Sequence, residues 1–172
     1  NESFMVVHAD NLSIFDSSDF ISHHVGRPTG TEMTSIVFET SDPQSCGIVE
    51  LDSDGIVQDF HEKVENPPGN LANGAVYILE PSVLEWMIGL GKNQVDLSTE
   101  VIPNFLGKLF TYQKTLYHRD IGTMKSWIQA NRDFPIMAPN AQNEKAWLAI
   151  LKKEDGQLAR YISMLGTSQL FE

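Results

Sequence analysis

Phe4-Met5-Val6-Val7 is an uninterrupted apolar run that delivers His8-Ala9-Asp10-Asn11 into a loop. A strand covered on both faces loses its alternation, so this run predicts a buried parallel strand over 4–8. Open α/β sheets hold ligands just beyond the carboxyl ends of such strands, which places Asp10 at an active-site edge. A helix is predicted over 17–26, starting at the cap-like Ser17-Ser18-Asp19, and a partly alternating strand over 31–40. Asp52-Ser-Asp-Gly55 is an Asp-Gly turn between strands 46–51 and 56–62, the signature of a hairpin. Asn66-Pro-Pro-Gly69 blocks any helix, and Ala75-Val-Tyr-Ile-Leu79 reads as a second buried strand. Pro81 opens a helix to about Gly89. A short helix follows over 97–106 with Ser98 near its N-cap, then a strand over 110–118. Asp120-Ile-Gly-Thr123 feeds a helix over about 124–132, and a last helical region spans about 143–165.

Composition narrows the class. The chain has 172 residues, 41% of them hydrophobic and 20% charged, enough to bury one domain's core. A single cysteine, Cys46, excludes an intrachain disulfide framework and points to a reducing, cytoplasmic setting. No apolar run approaches the ~20 residues of a membrane span. A net charge of −11 argues against a nucleic-acid partner, but small phosphorylated ligands need only a few placed cations and a divalent metal.

Four signals carry chemistry: Asp10, Glu62-Lys63, Asn73-Gly74 and Asp120-Ile-Gly-Thr123. Each alone has a plain structural reading as a cap, a surface ion pair, a turn or a helix start. Their order is specific. Together with Cys46-Gly47-Ile-Val-Glu-Leu and Ser98-Thr-Glu100-Val-Ile-Pro, they resemble the motifs of the sugar-1-phosphate nucleotidyltransferases, most of all the mannose-1-phosphate guanylyltransferase type. The resemblance runs from about Phe4 to Ala130.

The resemblance implies an α/β fold with a mixed, mainly parallel sheet flanked by helices, of the nucleotide-diphospho-sugar transferase type. It implies that residues 1–140 are the sugar- and metal-binding part of a catalytic domain, with 141–172 a helical tail. Asp10 and Asp120 match the family's Mg²⁺ ligands, as suits a hard ion that takes one or two carboxylates and keeps water and phosphate oxygens. Glu62 matches the residue that grips sugar hydroxyls, and Lys63 the one that reaches the sugar phosphate. Gly47 matches a glycine that lets the sugar approach the backbone. Asn73 and Gly74 fall in the segment lining the sugar pocket, and Glu100 matches a sugar contact. The implied substrates are a nucleoside triphosphate and a sugar 1-phosphate, and the products a nucleotide-sugar such as GDP-mannose and pyrophosphate.

The departures matter as well. The family's Gly-x-Gly-Thr-Arg-Leu loop, which cradles the triphosphate, is absent from these residues, so the chain is expected to be the C-terminal part of a longer protein. Val64 replaces the usual proline after Glu-Lys, and His8 stands where Gly or Asn is common. A non-catalytic regulatory or sugar-phosphate-binding relative is the alternative function. A glycosyltransferase would want Asp-x-Asp, whereas Asn11-Leu12 follows Asp10. His23 and His24 read as solvated surface residues, and His61 points away from the face of Glu62. His118 could share a face with Asp120. Cys46 reads as a small core residue. Trp147, Leu151, Leu158, Ile162 and Leu165 form an amphipathic stripe that packs on its own domain or, alternatively, makes a homo-oligomer contact.

Overall fold

A computed structural model of the chain describes residues 2–137, with side chains through residue 133. The predicted tail helix over 143–165 lies outside them. The chain divides into two compact units, Asn1–His118 and Arg119–Glu172.

The first unit is built on a six-stranded sheet comprising β1 (Phe4–Val7), β3 (Met33–Glu39), β4 (Gly47–Leu51), β5 (Val57–Glu62), β6 (Leu71–Leu79) and β7 (Leu109–Tyr112). The order is β5-β4-β6-β3-β7, and β1 pairs with β6 beyond the end of β4. The mixed sheet was expected; its balance was not. Among the described pairings only β3–β7 is parallel, and the rest are antiparallel. A continuous apolar run reports burial on both faces, and a central antiparallel strand such as β6 is buried in the same way. β2 (Asn11–Ile14) lies outside the main sheet, in a two-stranded ribbon with β8 (Tyr117–Asp120). Leu116 N–H donates to the Ile14 carbonyl at the start of that ribbon. The single strand predicted over 110–118 is thus two strands with a break at 113–116.

β1 departs from its reading as a buried parallel strand. It pairs antiparallel with β6, Phe4 opposite Leu79 through Val7 opposite Val76. Phe4 and Val6 pack on the core, while Met5 and Val7 face outward and are exposed.

The two sheet faces carry two cores. On one, Met33, Val37, Val49, Tyr77, Leu79 and Leu109 meet α2 (Pro81–Gly89) through Val83, Trp86 and Met87. The same core takes Val101 of a π-helical turn (Leu97–Val101), Ile102 of the short α3 (Ile102–Asn104) and Phe105. On the other face, Ile36, Val76, Ile78 and Tyr112 pack on Phe20 of α1 (Ser17–Val25). The α1 cap is Asp16, whose carboxylate accepts from Ser18 and Asp19 N–H at 2.9 and 3.0 Å.

His23 and His24 on α1 are packing residues, not solvated ones. The His23 ring stacks on Phe110 at 4.4 Å, and its Nε2 lies 3.0 Å from the Thr111 carbonyl. His24 is buried, with Nδ1 2.7 Å from Thr34 Oγ1 and Nε2 2.9 Å from Glu80 Oε1. That burial holds its imidazole below the ordinary range, against the opposing pull of Glu80.

The second unit continues through the end of β8 into α4 (Met124–Met137), where Arg119 pairs with Asp133 at 3.1 Å. Among the described residues, no helix is long and apolar enough to cross a membrane.

Candidate active site

The Glu-Lys pair owes its geometry to the β4–β5 hairpin. Asp52 Oδ1 accepts from the N–H groups of Asp54 and Ile56, closing the turn, while Gly55 supplies its positive φ of 78°. The resulting register sets Gly47 opposite Glu62 and Val49 opposite Phe60. Glu62 therefore shares the Val49 face of the sheet, the face of the larger core. Lys63 follows the strand with φ +50°, anchored by its N–H on the Cys46 carbonyl at 3.1 Å. In an extended continuation Lys63 would point away from Glu62. The left-handed turn instead leaves its Nζ 3.6 Å from Glu62 Oε1, with the lysine two-thirds exposed.

Gly47 has a local reason to be glycine. A Cβ there would lie 2.7 Å from Glu62 Oε2 and 2.7 Å from Phe60 Cε2, with Phe60 Cζ closer still. The space that the sequence reading reserved for a sugar is held, in this structure, by the chain's own ring and carboxylate.

Asn73 and Gly74 do not form a turn ahead of a strand. They lie inside β6, at an irregularity where the β3 register shifts between Ser35 and Val37. Gly74 lies against Ile36, whose Cγ1 a Cβ would meet at 2.6 Å. Ala75 takes φ +53°, and its carbonyl accepts the His8 N–H at 3.3 Å. That bond continues the β1–β6 register by one rung, to the start of the loop that carries Asp10. The Asn73 side chain turns inward: Oδ1 accepts from Ser35 Oγ at 2.7 Å, and Nδ2 donates to the Tyr77 hydroxyl at 2.6 Å.

Tyr77 and Asp96 belong to this neighbourhood and were missed from sequence. Tyr77 is fully buried, and burial pushes its phenol up to about 12, opposed by the Asn73 bond and reinforced by the negative fields of Glu62 and Asp96. Asp96 caps the π-helical turn through Thr99 N–H at 2.8 Å; that bond is the main cause of its lowered pKa, and His8 adds to it. Glu100 accepts the Asp96 N–H at 3.1 Å and pairs with Lys92, which holds its carboxyl below the usual range. Asp96 with Glu100 four residues on is a lengthened capping box, a signal that could have placed the cap at Asp96 instead of Ser98.

Asp10 sits exposed in the turn between β1 and β2, its carboxylate free of hydrogen bonds and ion pairs among the described residues. Asp120, in the second unit, ends β8 and accepts the Gly122 N–H at 2.8 Å, the local turn expected of Asp-x-Gly. His118 lies against the Phe38 ring at 4.0 Å with Nδ1 2.9 Å from Ser13 Oγ. Cys46 is half-buried beside Thr40.

The profile of the family described as Nucleotidyl transferase matches residues 1–135. The chain belongs to the nucleotidyl transferase family. It is 30% identical over 137 residues to mannose-1-phosphate guanylyltransferase of Mycobacterium tuberculosis, covering 77% of this chain and 37% of that protein. It is likewise 30% identical over 141 residues to glucose-1-phosphate adenylyltransferase of Halalkalibacterium halodurans, covering 77% of this chain and 36% of that one. The Thermotoga maritima adenylyltransferase shares 25% over 146 residues, covering 80% of this chain and 34% of its own. The chain therefore spans little more than a third of the length of these relatives. Its fold matches a crystal structure described as a glucose-1-phosphate thymidylyltransferase from Bacillus anthracis in complex with sucrose. The TM-score is 0.67 at 18% identity, covering 76% of this chain and 54% of that one.

Proposed function

We propose that the chain is the sugar- and metal-binding part of a sugar-1-phosphate nucleotidyltransferase, with guanylyl transfer to mannose 1-phosphate as the preferred reaction. The observation that carries this reading is the Glu62–Lys63 pair. A carboxylate that can accept from sugar hydroxyls lies 3.6 Å from an ammonium that can meet a phosphate, at the open end of a rigid hairpin. One substrate with vicinal hydroxyls and a phosphate would use both groups at once.

A phosphate oxygen of the sugar 1-phosphate attacks the α-phosphorus of the triphosphate in line. The new P–O bond forms as the bond to pyrophosphate breaks. The nucleophile is already anionic, so no residue has to remove a proton, and the protein's task is positioning and charge neutralisation. Lys63 holds the sugar phosphate, and Glu62 orients the sugar. Asp10 and Asp120 are assigned to Mg²⁺ from the motif each belongs to and from each carboxylate taken singly: hard oxygen donors, Asp10 wholly unspent and Asp120 with Oδ2 free of the Gly122 bond. Such an ion, when bound, supplies charge neutralisation on the phosphates.

The test is pyrophosphate release by the full-length gene product across GTP, ATP and dTTP, each with mannose or glucose 1-phosphate. The panel is needed because guanylyl and adenylyl relatives match this chain equally well. Asp10→Asn should lower kcat by roughly a hundredfold or more, and Lys63→Ala should raise KM for the sugar phosphate. Sugar-phosphate binding with no pyrophosphate release from any pair would overturn the enzyme reading and favour the non-catalytic relative.

A further inference from the structure

The opposite face of the same hairpin carries a second constellation that nucleotidyl transfer does not use. Glu50 and Asp59 are directly opposed across β4 and β5, and His61 lies two residues beyond Asp59 on the same face. His61 Nε2 is 2.7 Å from Glu50 Oε1 and 3.7 Å from Asp59 Oδ2. One donor atom from each of the three lies within 4.8 Å of the others.

Two features set this group apart from ordinary surface charge. Like charges directly opposed on an antiparallel pair destabilise it, yet among the described residues neither carboxylate is paired with a lysine or arginine. In addition, the register slips immediately after Glu50, where Leu51 pairs with Val57 and leaves Gln58 over. Such a bulge re-aims the side chains beside it. The imidazole nitrogen is the nearest group to both carboxylates, and its ring is about three-quarters buried, which limits its rotation.

We propose that Glu50, Asp59 and His61 form a binding site for a first-row divalent cation of the Zn²⁺ class. One imidazole with two carboxylates suits zinc and its neighbours, whereas Mg²⁺ and Ca²⁺ favour sites made of oxygen alone. Ligand bonds of about 2.0–2.2 Å require donor atoms roughly 3–3.5 Å apart. Side-chain adjustment of about an ångström achieves this while the strand ladder stays in place. The fourth and further positions face solvent and take water. His61 pairs with Ile48, the step next to Gly47 and Glu62, so the cation would cross-link the two strands that present the candidate sugar site. The site is independent of the nucleotidyltransferase reading.

The chain is stripped with EDTA and titrated with Zn²⁺ by calorimetry and with Co²⁺ by visible absorption. The expected result is one cation bound at this hairpin per chain, with His61→Ala and Asp59→Asn each weakening its affinity at least tenfold. Binding at the hairpin should be unchanged in Asp10→Asn and Cys46→Ser. Zn²⁺ should also shift the His61 ring-nitrogen NMR signals ahead of those of the other histidines. No saturable binding, binding indifferent to His61→Ala and Asp59→Asn, or binding lost in Asp10→Asn or Cys46→Ser would each overturn the proposal.

Discussion

Replacing Gly47 by alanine tests the packing that fixes the Glu62 carboxylate. The backbone of Gly47 lies outside the left-handed region, so alanine meets no φ penalty there. In open space Gly→Ala at such a position should stabilise by about 0.4–1 kcal/mol, because the unfolded chain loses freedom. Here the added methyl would lie 2.7 Å from both Phe60 Cε2 and Glu62 Oε2, well inside van der Waals contact. The Phe60 ring packs on the larger core, so it cannot move without disturbing Val49 and its neighbours. Overpacking of this kind costs about 1–3 kcal/mol, which reverses the sign. For a chain of this size the melting temperature should fall by roughly 2–12 °C, at about 2–4 °C per kcal/mol. Thermal unfolding followed by circular dichroism measures it, with Gly69→Ala, where nothing lies within 4 Å, as the comparison expected to be neutral or slightly stabilising. Phe60→Leu should relieve most of the cost in the double variant. A Gly47→Ala chain that melts at or above the wild type would refute the argument.

Tyr77→Phe removes the acceptor of the Asn73 amide in a fully buried setting, and should destabilise by about 1–3 kcal/mol in urea unfolding. His24 gives a pH signature. Its folded pKa lies below the usual 6.5, so the unfolded chain binds the proton first. Its contribution is complete above about pH 6.5 and is lost as pH falls from there through the depressed value. His24→Gln should flatten that stretch of the stability–pH curve, whereas Glu80, whose carboxyl is also held low, acts only below its usual 4.5.

Local chemistry was legible wherever a few neighbouring residues decide it. The Asp52–Gly55 turn, the two strands it joins and Pro81 at the head of α2 follow from turn and cap preferences that act within four residues. Long-range contacts were not legible. His23 and His24 look polar along the chain, but α1 lays them on Phe110 and Glu80, residues distant in sequence. Asn73-Gly74 resembles a turn because both residues favour one; Ile36 approaching from β3 makes it a bulge within a strand instead. Glu62, Lys63 and Asn73 were singled out by their motifs. Tyr77, read only as a strand residue, joins the candidate site because the Asn73 amide ends on its hydroxyl.

The two non-glycine residues with positive φ among those described are Lys63 and Ala75, and both lie in segments that the motifs had singled out. Left-handed backbone at an ordinary residue costs of order 1–3 kcal/mol and persists only where its surroundings over-determine it. Each has such surroundings. Lys63 is held by the Cys46 carbonyl, and Ala75 by the His8 N–H, with Gly74 jammed against Ile36. At Lys63 the strain has a use: it breaks strand alternation, so that adjacent residues present opposite charges to one place. At Ala75 the carbonyl still takes the next rung of the β1–β6 register, from His8 N–H, at the start of the loop of Asp10. Relaxing Lys63 into extended geometry would turn its ammonium away from Glu62 and separate the two groups that the proposed chemistry needs together.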